Sequence, residues 1–183
     1  MSKTALVSHL IAIPEGVGAN LEGNTVTLTK DGNSLTRDFN HNRVTVRQAD
    51  DGLEVFCNLP RRSERAIAGT WAAHLRNMAK GLDEGFEYRL KAVFSHFPMS
   101  LKVQGNEFTI TNLLGEKVPR VASLPWSPAE VEVKIGGKSD VSVKGADREK
   151  VGQTAANIER ACKIKNRDPR VFQDGVYIVS KGA

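Results

Sequence analysis

Two segments of this 183-residue chain recur further along it at almost the same spacing. The first pair is GNTVTLT at residues 23–29 and GNEFTIT at residues 105–111, which lie 82 positions apart. The second pair is GTWAAHL at residues 69–75 and GQTAANI at residues 152–158, which lie 83 positions apart. Because two separate segments keep nearly one offset, the sequence predicts a tandem duplication. We expect one copy over residues 1–82 and the other over residues 83–183.

Each copy has several segments with the two-residue period of half-buried strands. In the first copy, apolar residues alternate at 25–29, 44–46 and 53–57. The second copy shows this alternation at 88–94, 99–103, 108–110, 131–135 and 141–143. A last short strand is expected after the Asp-Gly turn at 174–175.

One helix is predicted near the end of each copy. In the first, an apolar stripe with three- and four-residue spacing runs over residues 64–80, with Ser63 as the expected N-cap and Gly81 as the expected end. In the second, a similar stripe runs over residues 151–162 and Asp147 is the expected N-cap. The sequence therefore predicts an α+β fold, in which each copy is a small antiparallel sheet covered on one face by one helix.

The positive charge is concentrated toward the C-terminus. The whole chain has 26 Lys+Arg and 21 Asp+Glu, a formal net charge of +5. From residue 160 onward there are six basic residues and two acidic ones, a net charge of +4, whereas residues 83–159 have a net charge of −1. A smaller basic cluster lies at residues 61–65. This distribution is compatible with a nucleic-acid partner and also with an ordinary solvated surface.

The sequence has no recognisable catalytic or metal-binding motif. GGKS at 136–139 resembles the end of a phosphate-binding loop, but Glu132 occupies the position of the required glycine, so a hairpin turn is the better interpretation. The four histidines have no metal-ligand spacing, and Cys57 and Cys162 have the character of buried apolar residues. We expect no enzymatic activity, no cofactor and no metal site.

No apolar run approaches the roughly 18–20 residues that a membrane-spanning helix needs. The apolar segment at residues 5–13 is interrupted by Ser8 and His9 and stopped by Pro14, so it is a poor secretion signal. We expect a cytosolic protein without a membrane partner.

The C-terminal segment contains the residue types that bind RNA, namely cations for phosphates and amides for bases or sugars. These residues are Lys165, Asn166, Arg167, Arg170 and Gln173. Phe172 lies among them, and it either stacks on an unpaired base or packs in the core.

Several segments carry a closer resemblance. They are GTWAAHLRNM at 69–78, EGFEYRLK at 84–91, SHFP at 95–98, NLLGEK at 112–117, GQTAANIE at 152–159 and NRDPRVFQDG at 166–175. Together they resemble the L6 family of large-subunit ribosomal proteins, in its archaeal and eukaryotic form, over residues 13–179.

The resemblance implies a structural ribosomal protein of the cytoplasm that binds large-subunit (23S-type) rRNA near the base of the acidic stalk and the factor-binding site. Its expected partners are this rRNA and neighbouring ribosomal proteins, with translation factors nearby. In the family the second copy and its tail provide most of the RNA contact, whereas Arg61, Arg62 and Arg65 of the first copy are weaker candidates. The expected RNA-binding residues are Lys138, Lys144, Arg148, Lys150, Lys163, Lys165, Asn166, Arg167, Arg170 and Gln173.

Two alternatives remain open from the residues themselves. The first is a free two-domain protein with a ligand or partner cleft between the copies, whose basic tail binds an acidic protein. The second is a small enzyme, which the lack of a catalytic motif argues against.

Overall fold

The computed structural model describes residues 5–50, 52–95, 97–137, 139–168 and 170–182. The chain divides into two compact units, Met1–Glu84 and Gly85–Ala183. Within the described ranges, each unit combines antiparallel strands with one α-helix. The predicted α+β class and the duplicated organisation are therefore confirmed.

The first unit has six strands and a long helix in its described part. They are β1 (Leu6–Ala12), β2 (Gly18–Glu22), β3 (Thr25–Lys30), β4 (Asn33–Asp38), β5 (Val44–Ala49), β6 (Gly52–Asn58) and α1 (Arg62–Asp83). The strands form two antiparallel sheets, ordered β1-β6-β5 and β2-β3-β4. Helix α1 contacts β1, β6 and β3. Its buried Ala68, Ala72 and Leu75 lie in one core with Val55 and Cys57.

The second unit repeats this arrangement with one strand more in the described ranges. Its elements are β7 (Phe86–Val93), β8 (Ser100–Gln104), β9 (Glu107–Thr111), a 3₁₀ turn (Leu113–Gly115), β10 (Arg120–Ser123), β11 (Val131–Gly136), β12 (Asp140–Gly145), α2 (Arg148–Ala161) and β13 (Gly175–Lys181). The sheets are ordered β11-β12-β7-β13 and β10-β9-β8. Buried Val151, Ala155, Ile158 and Cys162 of the predicted stripe join this unit's core.

Each unit thus has two sheets, where the sequence predicted one. The alternation pattern did not identify β1, β2, β4 and β10, and it did not show which strands pair with one another. In β4 the most covered side chains, Leu35 and Arg37, are only half-buried, and in β1 Ile11 alone is fully buried. Strands with so little burial have almost no apolar alternation to detect. The predicted hairpin at 136–139 is confirmed, since β11 pairs with β12 and Gly137 has a positive φ of 69°.

Helix α1 is longer at both ends than the sequence predicted. Ser63 is not the N-cap, because the helix starts at Arg62 and the Glu64 carboxylate accepts a hydrogen bond from the Arg61 backbone N–H at 2.6 Å. Gly81 does not end the helix, because α1 continues to Asp83 and Gly81 is buried in its last turn. In α2 the predicted N-cap is confirmed, as the Asp147 side chain accepts from the Glu149 N–H at 2.8 Å. Both cysteines are buried and unbridged, as predicted.

Gly52, at the start of β6, is a position where a side chain is not tolerated. Its φ is +145°, and a Cβ there would meet the Ile11 carbonyl oxygen at 2.2 Å. We expect Gly52→Ala to lower the free energy of unfolding of the first unit by roughly 2–3 kcal/mol. Denaturant unfolding followed by fluorescence of Trp71, which packs against this core, measures the effect.

Gly69 in helix α1 provides the matched control. A Cβ at Gly69 meets nothing within 4 Å. Because alanine favours a helix more than glycine does, Gly69→Ala should raise stability by roughly 0.5–1 kcal/mol. Equal effects of the two substitutions would contradict the close approach of β1 to Gly52.

Candidate nucleic-acid interface

The predicted RNA-binding residues fall into two groups at opposite ends of helix α2. Lys144 lies on β12, and Arg148 and Lys150 lie in the first turn of α2. The other group lies in residues 163–174 between α2 and β13, which we call the C-terminal connection. A 14-residue helix spans about 20 Å, so the two groups do not form one continuous patch. Lys138 lies outside the described residues.

The first group is largely neutralised by neighbouring side chains. Lys144 Nζ lies 3.6 Å from Glu87 Oε1, and Lys150 Nζ forms an ion pair with Glu130. The Arg148 guanidinium lies 6.0 Å from the centroid of the Phe86 ring. The N-terminus of a helix attracts anions, but here the carboxylates of Asp147 and Glu149 already occupy that end. Lys144 and Lys150 must therefore exchange a carboxylate for a phosphate before they can bind RNA.

The second group projects from the C-terminal connection into solvent. Lys163, Lys165, Asn166 and Arg167 are exposed, and Asn166 has a left-handed backbone with φ of 59°. The Arg167 guanidinium lies over the Phe172 ring, 5.0 Å from its centroid. Phe172 is half-buried and packs against the core, so of its two predicted roles the structure supports core packing. Its ring also provides a platform that fixes Arg167.

Hydrogen bonds within the C-terminal connection shape the segment around Arg170. Its Nε and terminal nitrogen donate to the two Asp168 carboxylate oxygens at 3.3 and 3.1 Å. The Arg170 side chain is still 89% exposed. The Gln173 amide donates to the Arg170 carbonyl at 3.1 Å, and the Tyr177 hydroxyl donates to the Gln173 carbonyl at 3.0 Å. Arg170 is therefore pre-oriented on the surface, and among the described residues Asp168 is the carboxylate partner that it would exchange for a phosphate.

Arg120, which no pattern in the sequence indicates, ties the C-terminal connection to the sheet. Its Nε and one terminal nitrogen donate to the Glu116 carboxylate at 2.8 and 2.7 Å. The other terminal nitrogen donates to the carbonyls of Ala161 and Lys163 at 3.3 and 2.6 Å. Neither contact had a signal in the sequence, because the four-residue spacing of Glu116 and Arg120 brings side chains together only on a helix and the other partners lie 41 and 43 positions away.

Asp174 was expected in a turn, and the structure gives it a further structural role. It is buried, with 5% exposure, and its carboxylate accepts from the Ser95 N–H at 3.3 Å. This bond joins the end of the C-terminal connection to the segment after β7. The connection is thus anchored at both ends, by Arg120 and by Asp174.

Acid should weaken the Glu116–Arg120 anchor. The hydrogen bond from Arg120 lowers the pKa of Glu116; the charges of Arg120 and Arg167 act in the same direction and burial acts against them. Because the folded pKa is below the unfolded one, the carboxylate stabilises the fold above the unfolded value, and this contribution disappears as pH falls through the folded pKa. We expect the stability of the second unit, followed by Trp126 fluorescence, to fall as pH drops below the ordinary glutamate value of 4.5.

Glu116→Gln isolates this contribution from those of other carboxylates. The variant should show a shallower loss of stability in acid than the unsubstituted chain, because one of the linked titrations is gone. Identical acid profiles for the two proteins would contradict the assigned role of the Glu116 pKa.

The described residues contain no group of three or more His, Cys, Asp or Glu side chains arranged to hold a metal ion. No helix among them is long and apolar enough to cross a membrane. The described molecule is a two-unit α+β protein whose C-terminal connection carries exposed basic side chains and is anchored at both ends.

Comparison with known proteins agrees with this class. The family model of ribosomal protein L6 matches residues 13–85 and 97–175, one match in each unit. The large ribosomal subunit protein uL6 of Methanosphaera stadtmanae is 44% identical over 181 residues, which cover 99% of this chain and 97% of that protein. The uL6 proteins of Methanobrevibacter smithii and Aeropyrum pernix are 42% and 43% identical, each over 99% of this chain.

The chain belongs to the ribosomal protein L6 family, in its archaeal form. This confirms the resemblance found in the sequence. Members of the family are structural, non-enzymatic components of the large ribosomal subunit, so a structural protein rather than an enzyme is confirmed. The predicted location in the ribosomes of the cytoplasm also follows from the archaeal relatives.

Proposed function

We propose that this chain binds large-subunit rRNA directly through its second unit, mainly through the C-terminal connection. The observation that carries the proposal is the exposed net positive charge of this segment on an anchored backbone. Lys163, Lys165 and Arg167 are exposed, and Arg170 is oriented outward by Asp168. RNA binding is dominated by phosphate contacts from Lys and Arg, and a pre-ordered segment loses less entropy on binding.

The remaining predicted ligands have different roles in this proposal. Asn166 and Gln173 supply amides for bases or sugars, and Lys138 stays a candidate from the sequence alone. Lys144, Arg148 and Lys150 contribute only where RNA displaces their present partners. No covalent bond is made or broken, because charge neutralisation, helped by the hydrogen bonds of the two amides, holds the RNA fold in place.

The proposal includes the position of the chain on the large subunit. The family resemblance supports a place near the base of the acidic stalk and the factor-binding site. Neighbouring ribosomal proteins would then contact the chain, and translation factors would dock nearby.

Photochemical cross-linking of purified large subunits tests the proposal. After RNA digestion, mass spectrometry should find nucleotide adducts on peptides spanning residues 163–173. Protein cross-links should join the chain to components of the acidic stalk base. Adducts confined to residues 5–84 would contradict the assignment of the RNA interface to the second unit.

A further inference from the structure

An open cavity of about 430 Å³ lies between strand β10 and the C-terminal end of helix α2. Its lining residues are Arg120, Val121, Arg160, Ala161, Lys163 and Lys165. Four of the six are cationic. Among the residues that the structure describes, no carboxylate forms an ion pair with Arg160, Lys163 or Lys165. An anion is therefore the expected ligand of this cavity, which we call the basic cleft.

The position of the basic cleft at a helix C-terminus creates an electrostatic conflict. The last carbonyls of an α-helix carry partial negative charge and repel an anion. Arg120 resolves this conflict by donating to the carbonyls of Ala161 and Lys163 at 3.3 and 2.6 Å. The end of α2 thereby becomes compatible with a bound phosphate.

Arg120 is itself held by a turn with unusual backbone geometry. Asn112, Leu114 and Gly115 all have positive φ, at 63°, 52° and 75°. A buried leucine in this region is strained, and such strain persists only where the surrounding structure fixes it. The turn leads directly to Glu116, whose carboxylate binds Arg120 through two hydrogen bonds at 2.7 and 2.8 Å.

We propose that the basic cleft binds a phosphate of the rRNA backbone, with Arg160, Lys163 and Lys165 as direct ligands and Arg120, fixed by Glu116, as the positioning residue. Because the three cations are exposed along an open cleft, a phosphate that remains part of a polymer can reach them. This inference rests on the proposed function and adds a specific site to it.

The direct ligands are tested by combining Arg160→Gln, Lys163→Gln and Lys165→Gln. Binding of the full chain to a large-subunit rRNA transcript is measured over a series of salt concentrations. The triple variant should bind about 10-fold more weakly, with a salt slope shallower by about 0.7–0.9 for the one phosphate that is no longer neutralised. Unchanged affinity and slope would overturn the cleft as a phosphate site.

The positioning role is tested by Glu116→Gln. If only net charge mattered, this variant would bind rRNA more tightly, because it loses a carboxylate. If Glu116 fixes Arg120, the variant should instead bind rRNA more weakly by roughly 3- to 10-fold. Glu107→Gln is the control, because it removes an exposed carboxylate of the same unit with no bond to Arg120, and it should not weaken binding. Arg120→Lys should weaken binding, since lysine keeps the charge but cannot make the paired bonds. Tighter binding by Glu116→Gln, or full binding by Arg120→Lys, would overturn the positioning role.

A comparison of the rRNA transcript with inorganic phosphate shows whether the basic cleft binds a phosphate of RNA or a free phosphate ion. The rRNA transcript should shift the NMR amide signals of Lys163 and Lys165, and inorganic phosphate at the same ionic strength should leave them in place. Saturable shifts with inorganic phosphate would instead indicate a small-anion site and overturn the proposal. If the unsubstituted chain fails to bind rRNA, the proposed function itself fails. If it binds and the triple variant binds equally, the cleft fails and Lys163 and Lys165 leave the interface, whereas the proposed function then rests on Arg167 and Arg170.

Discussion

Replacing both Arg167 and Arg170 with alanine should lower the affinity of the full chain for large-subunit rRNA by about 10- to 100-fold at moderate salt. Both guanidinium groups are held at the surface, Arg167 over Phe172 and Arg170 beside Asp168. For each phosphate that the variant no longer neutralises, the slope of log affinity against log salt should fall by about 0.7–0.9. Equilibrium binding over a salt series measures affinity and slope together.

A charge-matched control separates a specific contact from the loss of net charge. Arg47 on β5 lies over the ring of Phe56 on β6, and Arg76 is exposed on α1; both arginines are in the first unit. Replacing these two arginines with alanine removes the same charge and should leave the slope nearly unchanged. An equal loss of slope in the two double variants would remove the C-terminal connection from the RNA interface.

Phe108→Ala should lower the free energy of unfolding of the second unit by about 3–5 kcal/mol, because it removes a fully buried aromatic side chain and leaves a cavity. Phe108 lies on β9 between its partners Val103 on β8 and Ala122 on β10. The two tryptophans allow each unit to be followed separately. In a Trp71→Phe background, Trp126 fluorescence reports unfolding of the second unit.

Val121→Ala is the control for this prediction. Val121 lies next to Ala122 on β10 but is 50% exposed, so its replacement should change stability by less than about 0.5 kcal/mol. In the reverse background, Trp126→Phe, Trp71 should show that Phe108→Ala leaves the first unit nearly unaffected. A similar loss in both units would contradict two separate cores.

The duplication and most of the strands were predictable because they depend on local patterns. Strands β3, β6, β9 and β12 bury every second side chain, so their alternation is strong. Strand β4 was missed because one of its two faces is barely covered and the other is open to solvent. A pattern of burial cannot reveal a strand that buries almost nothing.

Helix ends were less predictable than helix faces. Gly81 resembles a helix stop, yet tertiary packing keeps it within α1 and buries it. Asp147 was correct because its capping bond is local, to the backbone two residues later. A local capping bond can be inferred from residue spacing, whereas the burial of a glycine by the rest of the fold cannot.

In the candidate interface, too, local features were predictable and tertiary contacts were not. The cationic residues were evident from composition, but the sequence could not show that Glu87 and Glu130 neutralise two of them. Nor could it show that Arg120 reaches the carbonyls of Ala161 and Lys163, since this contact depends on how β10 lies beside α2. The number of positive charges was predictable from the sequence. Which of them form ion pairs with carboxylates was not predictable.

Sedimentation of a cell lysate at low and high monovalent salt tests whether the chain is a structural component of the large subunit. We expect the chain to migrate with the large ribosomal subunit at low salt. It should remain there until the salt concentration strips core ribosomal proteins from the RNA. A chain that stays at the top of the gradient at every salt concentration would contradict its assignment as a structural component of the large subunit.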